Sequence, residues 1–293
     1  MTDGWLVVNN FINSEKFTEI YKMFLKSAER LNISLKLKRS GEILREVGGY
    51  SKERLPGFIL FWDKDVRLAE CLELAGARVF NSSAAIAACD DKRKTALMLA
   101  RRGVSFPKTV IVPKTFESAG YCDTEFLKSA LETVGLPAVL KEAYGSFGKQ
   151  VYLARTLKEA ETILENSGAR EFLIQRFIAE SAGRDVRVNV VGGKSVLAMA
   201  RENPNDFRSN ISNGGRAYPV RLGAEAAETA EAACRAVGAD FAGVDLLFGK
   251  DGVYVCEVNS NPHFKSAFDC TGEDFSEKIL EYIREDVKCA TDI

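Results

Sequence analysis

Short apolar runs alternate with amphipathic stretches along the first part of the chain. Trp5 to Val8 is apolar enough for a strand. From Ser14 to Leu31, the residues Phe17, Ile20, Tyr21, Phe24, Leu25 and Ala28 recur at helical spacing. Ile33 to Lys38 alternates as a strand does. Gly57 to Trp62 is a continuous apolar run, which predicts a strand buried on both faces. Lys64 to Ala75 reads as a helix closed by Gly76, and Arg78 to Asn81 as a further strand. This βαβαβ rhythm predicts a small doubly wound sheet. Ligands of such sheets sit beyond the C-terminal strand ends, which here carry Asn9, Asn10, Lys38, Arg39, Asp63 and Lys64. Those polar residues serve either a ligand or the loops and caps.

Asp90-Asp91-Lys92 starts a helix that runs to Arg102. A strand at Lys108 to Val112 and a helix at Thr124 to Val134 follow. The chain then reads strand, glycine loop, strand: Ala138 to Glu142, Ala143 to Lys149, Gln150 to Ala154. Thr156 and Glu159 form a capping box that opens a helix. Phe172 to Ile178 is a strand. Asp185 to Val191 and Ser195 to Arg201 make a hairpin around Gly192-Gly193, and Asn203 to Arg216 is a polar loop without hydrophobic period, the kind that is functional or mobile. A helix at Ala224 to Val237, a hairpin of Ala242 to Phe248 with Val253 to Val258, and a helix at Asp274 to Lys288 complete the chain.

The composition excludes several classes. With 40 Lys plus Arg against 41 Asp plus Glu, no electrostatic case exists for nucleic acid or an anionic membrane as partner. No apolar run is long enough to span a bilayer, and the start lacks a signal-peptide pattern. The 7 scattered cysteines contain no C-x-x-C pair, which suits free thiols in a reducing cytoplasm. The single histidine, His263, leaves little room for histidine-based nucleophilic catalysis.

Three constellations carry chemistry. Glu257 and Asn259 are two apart on a strand and share a face. If Lys250-Asp251-Gly252 is a three-residue hairpin loop, Gly249 pairs with Val253 and Asp245 stands opposite Glu257. Two carboxylates and an amide oxygen suit Mg²⁺ carrying phosphates. Second, Lys141 precedes the loop Gly145-Ser146-Phe147-Gly148, whose backbone N–H groups can close over polyphosphate. Third, Arg187, Arg201, Arg208 and Asn210 cluster between these two, where cations can stabilise a transferred phosphoryl group and a tetrahedral adduct.

In this order the constellations resemble the ATP-grasp superfamily, and more closely its RimK-like amino-acid ligases of the alpha-L-glutamate type. The resemblance runs from about Phe80 to Ile283 and rests on Gly183-Arg184-Asp185-Val186-Arg187, Asp206-Phe207-Arg208-Ser209-Asn210, Ala242-Gly243-Val244-Asp245 and Glu257-Val258-Asn259-Ser260-Asn261-Pro262. It implies an α/β ATP-grasp fold in which a Rossmann-like N-terminal unit (1–90) precedes two subdomains (91–175 and 176–293) that clamp the nucleotide. It implies Asp245, Glu257 and Asn259 as ligands of one or two Mg²⁺ ions, with Mn²⁺ as a substitute. Lys141 and Lys92 or Lys94 would contact ATP phosphates beneath the Gly145–Gly148 lid. The linker Gln175-Arg176-Phe177-Ile178 would hold adenine and Asp185 the ribose. Arg187, Arg201, Arg208 and Asn210 would stabilise the transferred phosphate. Two departures stand out: Glu142 follows Lys141 where many relatives have proline, and Arg176 replaces an acid. The implied activity is ATP-dependent amide formation through an acyl phosphate. An amino acid such as glutamate would be joined to a carboxylate on a small molecule or peptide tail, in the cytoplasm, and a homo-oligomer is compatible with the family. The alternatives are an ATP-binding scaffold without turnover and a D-alanine–D-alanine-type ligase.

Overall fold

The computed structural model describes residues 2–43, 46–47, 54–211 and 214–291, with side chains through residue 289. The polar loop expected at 203–216 therefore includes two residues, 212 and 213, that lie outside the described ones.

The first sheet holds β1 (Asp3–Val8), β2 (Ser34–Arg39), β3 (Phe58–Trp62) and β4 (Val79–Phe80), all parallel in the order β2-β1-β3-β4. Helices α1 (Glu15–Arg30) and α2 (Val66–Leu74) cover its two faces. Leu6, Leu60 and Trp62 pack with α1, while Trp5, Val7, Ile59 and Phe61 pack with α2. Burial on both sides is why these strands carry no alternation.

Helices α3 (Ser83–Asp90) and α4 (Lys92–Arg101) follow. The sequence predicts only the second of these. Ser83–Asp90 is Ala-rich and largely buried, so it shows no amphipathic period. Asp91 divides the two helices: its backbone is extended and its carboxylate accepts from Arg93 N.

The second sheet, β5 (Thr109–Ile111), β6 (Ala138–Glu142), β7 (Val151–Ala154) and β8 (Phe172–Arg176), is antiparallel in the order β5-β8-β6-β7. Its core is shared with α5 (Phe126–Val134) and α6 (Leu157–Glu165).

The third sheet runs β11-β10-β9-β12-β13, antiparallel throughout, from β9 (Arg184–Val191), β10 (Lys194–Glu202), β11 (Arg216–Pro219), β12 (Phe241–Gly249) and β13 (Gly252–Asn259). The edge strand β11 is short and largely exposed, and the sequence does not foresee it: Arg216 falls at the end of the expected polar loop and the residues after it carry no expected element. The short helix α8 (Lys265–Thr271) is likewise unforeseen, whereas α9 (Phe275–Thr291) falls where a closing helix is expected. The faces of this sheet differ. Val186, Val188, Val190, Ala198, Ala200, Ala242, Val244 and Leu246 bury against α7 (Ala224–Val237). On the opposite face Val191, Leu197, Met199 and Phe241 join the core of the first sheet, and further along the same strands the side chains become charged. That change along one face places the site.

Candidate active site

By strand alternation, Asp185 and Arg187 of β9, Arg201 of β10 and Asp245 of β12 share the charged half of that face. Register sets Asp245 beside Arg187, and Arg201 beside Asp185. Arg187 Nε and Nη2 donate to the two Asp245 oxygens at 2.6 and 2.7 Å. Arg201 donates bidentately to Asp185 at 2.7 and 2.5 Å and reaches Asp245 at 2.9 Å. Burial alone would raise the Asp245 pKa, but Arg187 and Arg201 outweigh it and hold the carboxyl at about 2. Burial likewise opposes the charge on Arg201, and Asp245 and Asp185 reverse that effect. Asp245 is therefore a fixed anion at the floor of a cleft.

Glu257 lies directly opposite Asp245. The expected partnership forms, but by a different turn. Gly249 pairs with Gly252 across a two-residue turn, so a regular ladder would oppose Asp245 to Cys256. A bulge between Val255 and Glu257 inserts Cys256 and restores the Asp245–Glu257 pairing. The reason is visible in the packing. Val253, Val255 and Val258 all bury against α7, and a strand cannot turn 253, 255 and 258 to one side without such a break. Asn259 then pairs with Gly243, where a side chain would strike Pro262 at 2.6 Å.

Two lysines face this group. Lys92 Nζ lies 3.8 Å from Glu257 and donates to Gly145 O at 3.0 Å. Burial lowers its pKa, with Glu257 acting in the opposite sense. Lys141 Nζ approaches Cys256 Sγ at 3.4 Å. Lys94 is exposed on α4 and takes no part. Glu142, the neighbour of Lys141, points away into its own network, accepting from Arg170 and Tyr152 at 2.8 and 2.9 Å. Its place in the chain thus leaves the cleft untouched.

The glycine loop lies across the cleft, fastened at both ends. Lys92 holds Gly145, and Arg208 Nη1 donates to Gly148 O at 2.7 Å. Arg208 is oriented by Asp206 through its Nε and Nη2. Gly183 pins the loop that carries Arg208: its N–H donates to Phe207 O, and at φ +70° a Cβ would sit 2.4 Å from Asn203 O. The cleft is lined by Lys92, Lys141, the lid residues Gly145, Ser146 and Gly148, and Gln175, Phe177, Ile178, Asp185, Asp245 and Glu257. Arg201, Arg208 and Asn210 also line it. Arg176 does not: it turns outward to Asp251 at 3.7 Å. The strand around it keeps its neighbours in the cleft.

A second cavity, of about 460 Å³, opens on the other side of the lid. Arg187, Arg201, Asn210, Glu257 and Asn259 are common ground or border it, as are Ser146 and Phe147. Its far wall comes from the first sheet and α1: Asn9, Lys16, Phe17, Tyr21, Trp62 and Asp63. Asn9 and Asp63 are among the strand-end residues singled out in the sequence. Lys16 and the aromatic wall carry no sequence signal, because the helical period marks Phe17 and Tyr21 only as core. His263 also lines this cavity. Burial and the charge of Lys16 lower its pKa to about 4, so it is neutral at pH 7.

Comparisons with known proteins bear on this geometry. The RimK-like ATP-grasp domain family matches residues 89–283. A probable alpha-L-glutamate ligase of Methanococcoides burtonii is 37% identical over 220 residues, covering 74% of this chain and 70% of that one. A relative of the same description from Syntrophotalea carbinolica is 38% identical over 212 residues, 71% and 67% of the two chains. Among solved structures, a RimK domain ATP-grasp protein of Sphaerobacter thermophilus superimposes with a TM-score of 0.71 at 18% identity, covering 96% of this chain and 99% of that one. D-alanine–D-alanine ligase from Bacillus anthracis, complexed with ATP, gives 0.72 at 18% identity, covering 98% of each chain. These two show a shared fold.

Proposed function

This chain belongs to the RimK-like ATP-grasp family and is an ATP-dependent ligase, and from that premise we propose the part each residue plays in joining an amino acid to a carboxylate. The observation that carries the reading is the Asp245–Glu257 pair on the cleft floor, with Asn259 beside it and Lys92 and Lys141 opposite. The donor set fits a hard divalent cation: two carboxylates and an amide oxygen, one carboxylate held ionised by guanidinium groups. Asp245, Glu257 and Asn259 would hold Mg²⁺, as one or two ions, with Mn²⁺ as a substitute. Bound there, the metal neutralises charge on the phosphoryl group during transfer.

The units 1–90, 91–175 and 176–293 then act as a pre-ATP-grasp sheet and two jaws. Lys141 and Lys92 bind phosphate oxygens of ATP, and the Gly145–Gly148 lid covers them with backbone N–H groups. Gln175 to Ile178 meet adenine mainly through the backbone, which is why an outward Arg176 is tolerated. Asp185 keeps lone pairs for the ribose hydroxyls beyond those given to Arg201. A substrate carboxylate entering from the second cavity attacks the γ-phosphate, giving ADP and an acyl phosphate. The free amine of an amino acid attacks the acyl carbon, phosphate leaves, and an amide forms. Arg201 and Asn210 line both cavities, Arg208 the first and Arg187 the second, and together they stabilise the transferred phosphate and the tetrahedral adduct. The 37% identity to a probable alpha-L-glutamate ligase supports glutamate as the reference amino acid to assay first.

Arg208→Ala tests the assignment. Single-turnover ADP formation should fall by about 10²-fold or more while nucleotide still binds. Unchanged turnover would remove Arg208 from the mechanism.

A further inference from the structure

Asp63 follows β3 and lines the second cavity, yet it is buried. Its Oδ1 accepts from the Asn9 amide at 3.1 Å and from Lys64 N–H at 2.7 Å, and its Oδ2 from the same Asn9 amide at 3.2 Å. Both donors are neutral. An asparagine oxygen would serve them as well, so these bonds do not account for a charge here. A carboxylate offers about four acceptor sites, which leaves Oδ2 room for a further donor. The cations nearby are engaged elsewhere. Arg187 and Arg201 hold Asp245 and Asp185. Lys64 turns to Asp90 at 2.7 Å, and Arg39 donates to Asn9 O at 3.4 Å. Lys16 is exposed and lies against the Phe147 ring. Among the described residues, no Lys or Arg forms an ion pair with Asp63. Burial, the largest influence, and the charge of Asp65 raise its pKa, against the bonds from Asn9 and Lys64. A buried carboxylate without a counter-charge is costly. Tyr21 of α1 senses that charge: after burial, Asp63 is what raises its phenol pKa. Tyr21 lines the same cavity, as do Phe17 and Trp62. Aromatic surface beside an anion complements an organic cation, whose charge meets the ring faces and whose carbon meets apolar surface.

We propose that Asp63 is the subsite for an alkylammonium group on the carboxylate substrate of this ligase. The inference rests on the ligase reading and deepens it by naming a charge that the substrate carries besides its carboxylate. An ammonium supplies the counter-charge that Asp63 lacks and relieves the cost of its burial. The substrate's own carboxylate belongs with Arg187 and Arg201, since Asp63 repels it. The group at Asp63 is also not the attacking amine. A carboxylate in a dry site stabilises the ammonium form, whereas the nucleophile must be the free amine. The cation therefore positions the substrate and is kept in the product. Asn9 is a positioning residue here: its amide holds both oxygens of Asp63, and its own Oδ1 accepts from Phe11 and Ile12 N–H at 2.8 and 3.0 Å. The cavity volume lies within the roughly 300–1,000 Å³ of small-molecule sites.

The test is calorimetric binding to the full chain saturated with Mg·ADP. The probes are benzylammonium, benzyl alcohol and benzoate. Benzylammonium should bind about tenfold or more tightly than benzyl alcohol. In Asp63→Asn, benzylammonium should fall to the affinity of benzyl alcohol, whose own affinity stays as in the parent. Asp65→Asn removes a neighbouring charge that does not line the cavity, and it should keep the preference for the cation. The Mg·ADP affinity of each variant serves as its fold control. Equal binding of benzylammonium and benzyl alcohol, tighter binding of benzoate, no binding of benzylammonium, or a preference for the cation that survives in Asp63→Asn would overturn the proposal. ADP release is read separately. Cation binding that depends on Asp63, without turnover of any carboxylate, would count against the ligase assignments and leave this site standing. Turnover whose KM for the carboxylate substrate is unaltered in Asp63→Asn would do the reverse.

Discussion

Asp245 and Glu257 face each other across β12 and β13 because Cys256 is an extra residue in β13. The bulge lets one strand serve two masters: Val253 and Val255 stay in the α7 core, while Glu257 emerges in the cleft and Asn259 at the second cavity. Deleting Cys256 should send one of those sets to the wrong face. Mg²⁺-dependent nucleotide affinity, measured by titration, is expected to disappear in the deletion and to survive in Cys256→Ala. Retained affinity in the deletion would mean that the bulge does not set the site.

Arg201 is almost wholly buried and links Asp185 to Asp245. Replacing it with Met leaves Asp185 without its bidentate partner and Asp245 with one guanidinium fewer. Removing one side of a buried charge network costs roughly 3–5 kcal/mol. Denaturant unfolding of Arg201→Met should show a loss of that order, and a change under about 1 kcal/mol would contradict the network's importance.

The sequence displays the break in β13 as a shift of parity, with valines at 253 and 255 and then at 258. That pattern is legible once the core face is known; the turn residues alone point to a three-residue loop. The acid pair, the glycine lid and the arginines are legible because charged residues sit inside apolar strands, where only a partner or a ligand tolerates them. The second cavity is far less so. Phe17, Tyr21 and Trp62 have the spacing of core residues, and nothing local tells that they also line a cavity. Lys16 is an exposed helix lysine in the sequence and in the fold, and nothing local announces its contact with the Phe147 ring. The missed α3 and β11 fail for different reasons: α3 is Ala-rich and largely buried, so it shows no amphipathic period, and β11 is only four residues long and mostly exposed, too short to show an alternation.

Gly183 should not tolerate a side chain. Its φ of +70° and the 2.4 Å approach of a Cβ to Asn203 O both oppose alanine. Gly183→Ala is expected to cost about 1–3 kcal/mol. It should also raise KM for ATP, because Arg208 leaves Gly148 when its loop moves. Thermal unfolding and steady-state kinetics measure the two effects, and an unaffected KM would uncouple that loop from the lid.

Asp240 supplies a pH signature. Burial, the largest influence, raises its pKa from 3.8 to about 6, against the bond it accepts from Tyr282 at 3.0 Å. Between about pH 4 and 6 the folded state holds a proton that the unfolded state has lost, so this group's contribution to stability falls as pH rises through that window. His263, lowered to about 4, acts in the opposite sense over a similar range. Unfolding curves of the parent and Asp240→Asn should therefore differ in slope between pH 4 and 6, with the variant gaining stability relative to the parent as pH rises. Parallel curves would show that Asp240 is ionised normally in the fold.

The account turns on a carboxylate that takes the γ-phosphate before it takes the amine. Supplying the carboxylate substrate labelled with ¹⁸O, together with Mg·ATP and the amino acid, tests this directly. Mass spectrometry should find one labelled oxygen transferred to inorganic phosphate, with ADP and amide formed in equal amounts, and no transfer in Glu257→Gln. Label appearing in AMP, or amide formed with unlabelled phosphate, would contradict the acyl phosphate and the roles built upon it.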